Sequence, residues 1–193
     1  MSRLVPGREP AQNRNMHENI LKFWFEEIKA AQWWAKDEAF DQSIRARFSD
    51  VHARAVRCEL FEWRAQPKGR LAEIIVLDQF SRNMFRGSPL AFASDPLALA
   101  LAQEAIAAKA DEAMSPVERS FLYLPFMHSE SLAIHSVAME LYRKNGIRSN
   151  LDFEIRHRQI IERFGRYPHR NAILGRESTK AEIEFLKQPG SGF

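Results

Sequence analysis

The chain carries one cysteine, Cys58, among its 193 residues. An intramolecular disulfide is therefore impossible, and a four-thiolate zinc site and a Cys-x-x-Cys redox motif are excluded. The scarcity of thiols fits a reducing setting, so a cytoplasmic location is the expectation. Cys58 lies beside Val56 and Leu60 near a helix end, and reads as a small core residue. No stretch approaches the ~20 apolar residues that a membrane-spanning helix needs. Residues 1–15 lack the apolar stretch of a secretory signal. They hold Pro6, Gly7, Pro10 and three arginines, and read as a mobile N-terminal extension. Charge of one sign is missing too: 28 Lys and Arg against 25 Asp and Glu leave a formal +3. These charges are mixed along the chain, which gives nucleic acid little to bind. There is no Gly-x-Ser-x-Gly elbow, P-loop or dinucleotide fingerprint, and no His-Glu-x-x-His or paired Glu-x-x-His motif. No metal site and no cofactor follow from the sequence. Trp33, Trp34 and Trp63 read as core or groove residues, not as platforms for bases.

Strand signals are also absent; nearly every segment has helical period. A first helix spans about Met16 to Ala30, with Ile20, Phe23, Trp24 and Ile28 on one face. A second starts at the cap Asp37 and ends before Pro67-Lys68-Gly69. The third, Arg70 to about Phe85, is apolar around most of its circumference, which marks a central buried helix. Ser94-Asp95-Pro96 opens a fourth, to about Ala110, and Ser115-Pro116-Val117-Glu118 a fifth. Pro125 should kink or end that fifth helix. A sixth runs from Ser129 to Lys144 and closes on Asn145-Gly146. The seventh ends at Gly165, a loop covers Arg166 to Arg176, and Thr179-x-x-Glu182 caps a last short helix to Lys187. The sequence predicts an all-α domain of about eight helices over residues 16–187, with a frayed tail over 188–193.

Several polar residues fall where apolar ones belong. Asp78 and Arg82 share a face of the third helix with Leu71, Ile75 and Phe85. His128 joins the stripe of Val117, Phe121 and Leu124 if the fifth helix passes Pro125. Glu130 heads the stripe of Ile134, Val137 and Leu141, and His157 lies among Phe153, Ile160 and Phe164. Separate burial of each would need several separate hydrogen-bonding solutions, whereas one shared pocket satisfies them together. Arg82 with Arg86, and Arg166 with Arg170, can grip a carboxylate or phosphate through paired hydrogen bonds. Asn83, His169 and Asn171 add polar groups beside them, Asn171 also reading as a loop brace.

Three functions compete. The first is a binding module whose pocket takes a small anionic molecule or a peptide carboxylate through Arg82, Arg86, Asn83, Arg166, His169, Arg170 and Asn171. The second is a hydrolase or lyase with His128 or His157 as acid and base, and Asp78 or Glu130 orienting the imidazole. The third is a buried ion-pair network that only fixes helix register. Exposed aromatics such as Trp33 or Trp63 would suit a homo-oligomer.

The motifs add a resemblance. Leu77-Asp78-Gln79-Phe80-Ser81-Arg82-Asn83-Met84-Phe85-Arg86-Gly87 resembles the LDQFPRNxFRG signature of the bacterial domain-of-unknown-function 924 family. The stretches from Ala91 to Ala98, Phe121 to Glu130 and Arg163 to Asn171 resemble it as well, as do Trp24-Phe25 and Trp33-Trp34-x-Lys36-Asp37. The resemblance covers about Ile20 to Leu186. It implies a tetratricopeptide-like antiparallel helical array and no established activity. Two departures stand out. Ser81 replaces the usual proline, which leaves that helix unbroken. Ala133-Ile134-His135 stands where the family often has Asp-Gln-Glu, a loss of acidic and amide groups.

Overall fold

The computed structural model describes residues 16–192, so the N-terminal extension lies outside the described residues. Among the described residues there are helices and turns and no strand. Helix α1 (Met16–Lys22) widens into a π turn, Phe23–Glu27. Helix α2 (Glu38–Val56) starts where the Asp37 carboxylate accepts the Phe40 N–H at 3.1 Å. Helix α3 (Pro67–Ile75), a π segment (Val76–Phe80) and α4 (Ser81–Met84) follow one another without a break. Helices α5 (Asp95–Ala107), α6 (Pro116–Met127), α7 (Leu132–Asn145), α8 (Arg148–Phe164) and α9 (Lys180–Leu186) complete an all-α array.

The helix ends follow local chemistry. Ser115 and Thr179 form capping boxes with Glu118 and Glu182. Gly146 and Gly165 close α7 and α8 at φ of 81° and 68°, a left-handed turn that glycine adopts without penalty. The third helix begins three residues earlier than Arg70. Pro67 occupies the first turn, where no N–H is required. Gly69 is then needed for packing, since a Cβ there would sit 2.1 Å from the Trp63 carbonyl oxygen. Pro125 lies inside α6, which ends only at Met127. Cys58 is exposed at φ 58°, not in the core.

The rod 67–84 is the centre of the array, touching α1, α2, α5 and α6. Leu71, Ala72, Ile74, Ile75, Val76, Leu77 and Phe80 are all fully buried. Each large apolar side chain removed from water this way contributes about 1.5–3 kcal/mol. Around Phe80 stand Phe48 at 4.9 Å, Trp24 at 5.6 Å and Phe23 at 6.2 Å between ring centroids. The stretch 89–107 is long and apolar enough to cross a membrane by composition alone. It is interrupted between Ala91 and Asp95, and α5 packs against α3 and α6. Helices α6, α7 and α8 pack in succession, and the segment after α8 reaches Asp95 on α5 and the C-terminal end of α6 through Arg170 and Tyr167.

Candidate functional site

The π segment holds a deeply buried charge of the rod, as deep as Glu73 on α3. A π turn is often found at functional positions, and here it carries Asp78, 1 % exposed. An isolated carboxylate could not remain ionised there. Asp78 Oδ1 meets His128 Nδ1 at 2.7 Å and Arg82 Nη1 at 3.1 Å, while Oδ2 accepts from Gln79 Nε2 at 2.6 Å. Burial pushes this carboxyl up. Arg82, then His128 and Gln79, outweigh that push and hold it well below the usual carboxylate range.

His128 caps the C-terminus of α6. Because Asp78 can only accept, the ring carries its proton on Nδ1. Nε2 then holds a lone pair. Among the described residues it has no hydrogen-bond partner, and the side chain keeps 15 % of its surface in solvent. Burial first, and Arg82 second, push the imidazole below its ordinary pKa against the pull of Asp78. His128 is therefore a neutral imidazole at pH 7.

Arg82 also forks onto Asp95, with Nη1 to Oδ1 at 2.8 Å and Nη2 to Oδ2 at 3.0 Å. Arg170 reaches the same Asp95 Oδ2 at 3.2 Å and donates to the His128 carbonyl at 2.9 Å. Its guanidinium lies between the rings of Phe92, at 4.6 Å, and Tyr167, at 4.7 Å. Glu130 accepts two bonds from Arg176, at 2.6 and 2.9 Å, and the Tyr167 N–H at 2.7 Å. Asp78, Asp95 and Glu130 thus balance Arg82, Arg170 and Arg176.

Tyr167 is the hub. The rings of His135, His157 and His169 lie 6.3, 5.7 and 5.6 Å from its own, and its hydroxyl donates to the Met127 carbonyl. Burial drives His157 down to about 3, and its Nδ1–H donates to the Phe153 carbonyl at 2.8 Å. Burial, with Arg170 and Arg82, takes His169 to about 3. A second histidine–carboxylate pair lies below: His135 Nδ1 and Glu154 Oε1 are 2.7 Å apart, both residues fully buried.

Asp78, Arg82, His128, Glu130, His157, His169 and Arg170 therefore converge. Four other candidates lie elsewhere. Arg86 and Asn83 both bind Asp41 on α2, at 2.5 to 2.8 Å. Arg166 forks onto Glu182, at 2.7 and 2.8 Å, and Asn171 braces its loop through Ser178 at 3.1 Å. The arginine pairs of the sequence are thus split, one member of each in the cluster. Asp95, Tyr167, Arg176, His135 and Glu154 belong to the network and escape sequence reasoning. Among the described residues no three His, Cys, Asp or Glu side chains are arranged to hold a metal ion. Two surface recesses, of about 510 and 270 Å³, open at other places: one between α8 and α9, one beside the C-terminal end of α2.

This geometry defines an all-α helical protein with a charge-balanced polar core that opens to solvent at one imidazole nitrogen. The chain belongs to a bacterial family of unknown function, DUF924, whose model matches residues 20–190. It is similar to a solved structure of a protein of unknown function from Agrobacterium tumefaciens: 42% identity, 91% of this chain and 98% of that one covered, TM-score 0.87. No curated protein matches.

Proposed function

We propose that the protein is an acid–base enzyme of the hydrolase or lyase type, with His128 as the base and Asp78 as the residue that orients it. One observation carries this reading: His128 Nδ1 is engaged by a buried, ionised carboxylate while Nε2 has no partner among the described residues and reaches solvent. A neutral imidazole held in that tautomer takes a proton at Nε2 from water or from a substrate, and Asp78 stabilises the imidazolium that forms. A positioned base of this kind contributes roughly 10²–10⁴ in rate. Glu130 and His157 fit the role less well, because Arg176 occupies the first and the Phe153 carbonyl holds the second.

A panel of carboxylic esters, amides, phosphomonoesters and hydroxy acids tests the proposal. His128→Gln should lower any turnover found by at least about 100-fold. The acid limb of the wild-type rate profile should lie below the ordinary histidine pKa of 6.5. Turnover that His128→Gln leaves intact would refute the assignment. A second reading, a binding module for a small anion, is favoured by Arg82 and Arg170 converging at Phe92, 5.7 and 4.6 Å from its ring centre. Asp95 already answers both guanidiniums, so a ligand would have to displace it. Calorimetry with phosphate and acetate on wild type and Arg82→Ala separates the two readings.

A further inference from the structure

The 270 Å³ recess lies beside a histidine that the ion network does not use. His52, on α2, is 7 % exposed, and its Nε2 sits 2.8 Å from Ser81 Oγ. Ser81 Oγ is also 2.6 Å from the Leu77 carbonyl oxygen, which can only accept. A hydroxyl has one proton. Ser81 gives it to Leu77, so the imidazole must donate its Nε2–H to Ser81 and carry its lone pair on Nδ1. Burial pushes His52 below its ordinary pKa, which keeps the ring neutral. Among the described residues Nδ1 has no hydrogen-bond partner, and it is not sealed from solvent.

The walls of the recess are almost wholly apolar. Phe85 meets the His52 ring edge-on at 5.2 Å, and Val56 and Leu90 leave about half their surface uncovered. Among the described residues that line it, Arg57 carries the charge, and Glu59 binds it twice, at 2.6 and 3.0 Å, which answers it locally. The volume lies below the ~300–1,000 Å³ of pockets for drug-sized ligands. The space suits a single ring or a short chain.

We infer that this recess is a binding site for a small uncharged molecule with an apolar body and one hydroxyl or N–H group, which donates to Nδ1 of His52. A phenol has this chemistry: its ring covers Val56, Phe85 and Leu90 while its hydroxyl meets the lone pair. Ser81 is a positioning residue here, because it fixes which nitrogen of His52 accepts. The site is separate from His128, and His128→Gln should leave it unaltered.

Phenol and toluene, titrated into the full chain and followed by the ring nitrogen resonances of His52, test the inference. Phenol should saturate with a shift of Nδ1, and should bind roughly two- to tenfold more tightly than toluene, the worth of one neutral hydrogen bond. His52→Phe should bind the two compounds alike. Ser81→Ala should weaken phenol and leave toluene unchanged. Leu90→Glu, a change at a half-exposed position, should abolish both. The inference is overturned if phenol at its solubility limit leaves Nδ1 unmoved, or if the preference for phenol survives in His52→Phe or Ser81→Ala.

Discussion

Two histidine–carboxylate pairs stand close together in this fold, each with Nδ1 2.7 Å from a buried oxygen, and their surroundings set them apart. Asp78 has Arg82 and Gln79 beside it, and its carboxyl is held down. Among the described residues no guanidinium bonds Glu154, and Arg158 pulls on its carboxyl only from a distance. Burial pushes its carboxyl up against the pull of His135, and its Oε2 is buried with no partner. The far nitrogens differ as well. His128 Nε2 reaches solvent, whereas His135 Nε2 lies 2.9 Å from the Ser129 carbonyl and 3.2 Å from the Tyr167 hydroxyl. A carbonyl only accepts, so His135 must carry a proton on Nε2. With a proton between the facing atoms, its pair with Glu154 bears no net charge. An open pair next to a cation can exchange protons with a substrate. A closed pair without one pins α7 to α8 and steadies the 128–131 turn on which His128 sits.

Replacing each carboxylate by its amide separates the two environments, and the larger effect belongs to Asp78. All three neighbours of its oxygens are donors: His128 Nδ1–H, Gln79 Nε2–H and Arg82. Asp78→Asn brings a donor into a ring of donors and strands the Arg82 charge on Asp95 alone. Breaking one partner of a buried ion pair costs about 3–5 kcal/mol. Urea denaturation should show a loss of that order. A loss under about 1 kcal/mol would mean that Asp78 is not the electrostatic keystone of the cluster.

Acid gives the next largest effect. Asp78 is held below its unfolded value of 3.8, so the unfolded chain binds its proton more readily than the native state does. The stability it supplies is complete above that value and drains away as pH falls through the lower folded pKa. The deficit of Asp78→Asn relative to wild type should therefore be constant from neutral pH down to about 4 and shrink below it. Melting temperatures of the two proteins taken together across that range check this. A deficit that grows in acid would reverse the sign and break the account.

The central rod was legible because its apolar residues cover every side, and no surface helix of a soluble protein has that pattern. The Asp78–Arg82 contact was legible for the same reason: spacing of four residues decides it within one helix. His128 was legible only on condition that α6 passed Pro125, which it does. The hidden partners are tertiary. Asp95 reads as an ordinary first-turn residue of α5, and nothing local shows that Arg82 and Arg170 both close on it. Arg86 has helical spacing from Arg82, yet the helix ends at Met84 and Phe85 turns to φ −120° and ψ 28°, which sends Arg86 to Asp41. His135 looked like a loss of acidic groups against the family pattern. It is half of a buried pair whose other half lies on the next helix, and the register between helices leaves no mark in a single sequence.

The smallest effect sharpens the comparison most. Glu154→Gln keeps the shape of the side chain and offers an amide N–H to the Nδ1 lone pair of His135, the same hydrogen bond that a protonated Glu154 makes. With the network still satisfied, the loss at acidic pH should stay below about 1 kcal/mol. The pH trend should run opposite to that of Asp78. Glu154 is held above its unfolded value of 4.5, so the unfolded chain releases a proton that the native state keeps, and this penalty grows as pH rises from 4.5 through the folded pKa. The Gln variant lacks that penalty and should gain on wild type over the same interval. Melting temperatures at pH 4.5 and above measure the difference. If the variant instead loses ground steadily as pH rises, Glu154 is ionised like Asp78, and the contrast between a closed and an open pair rests on solvent access alone.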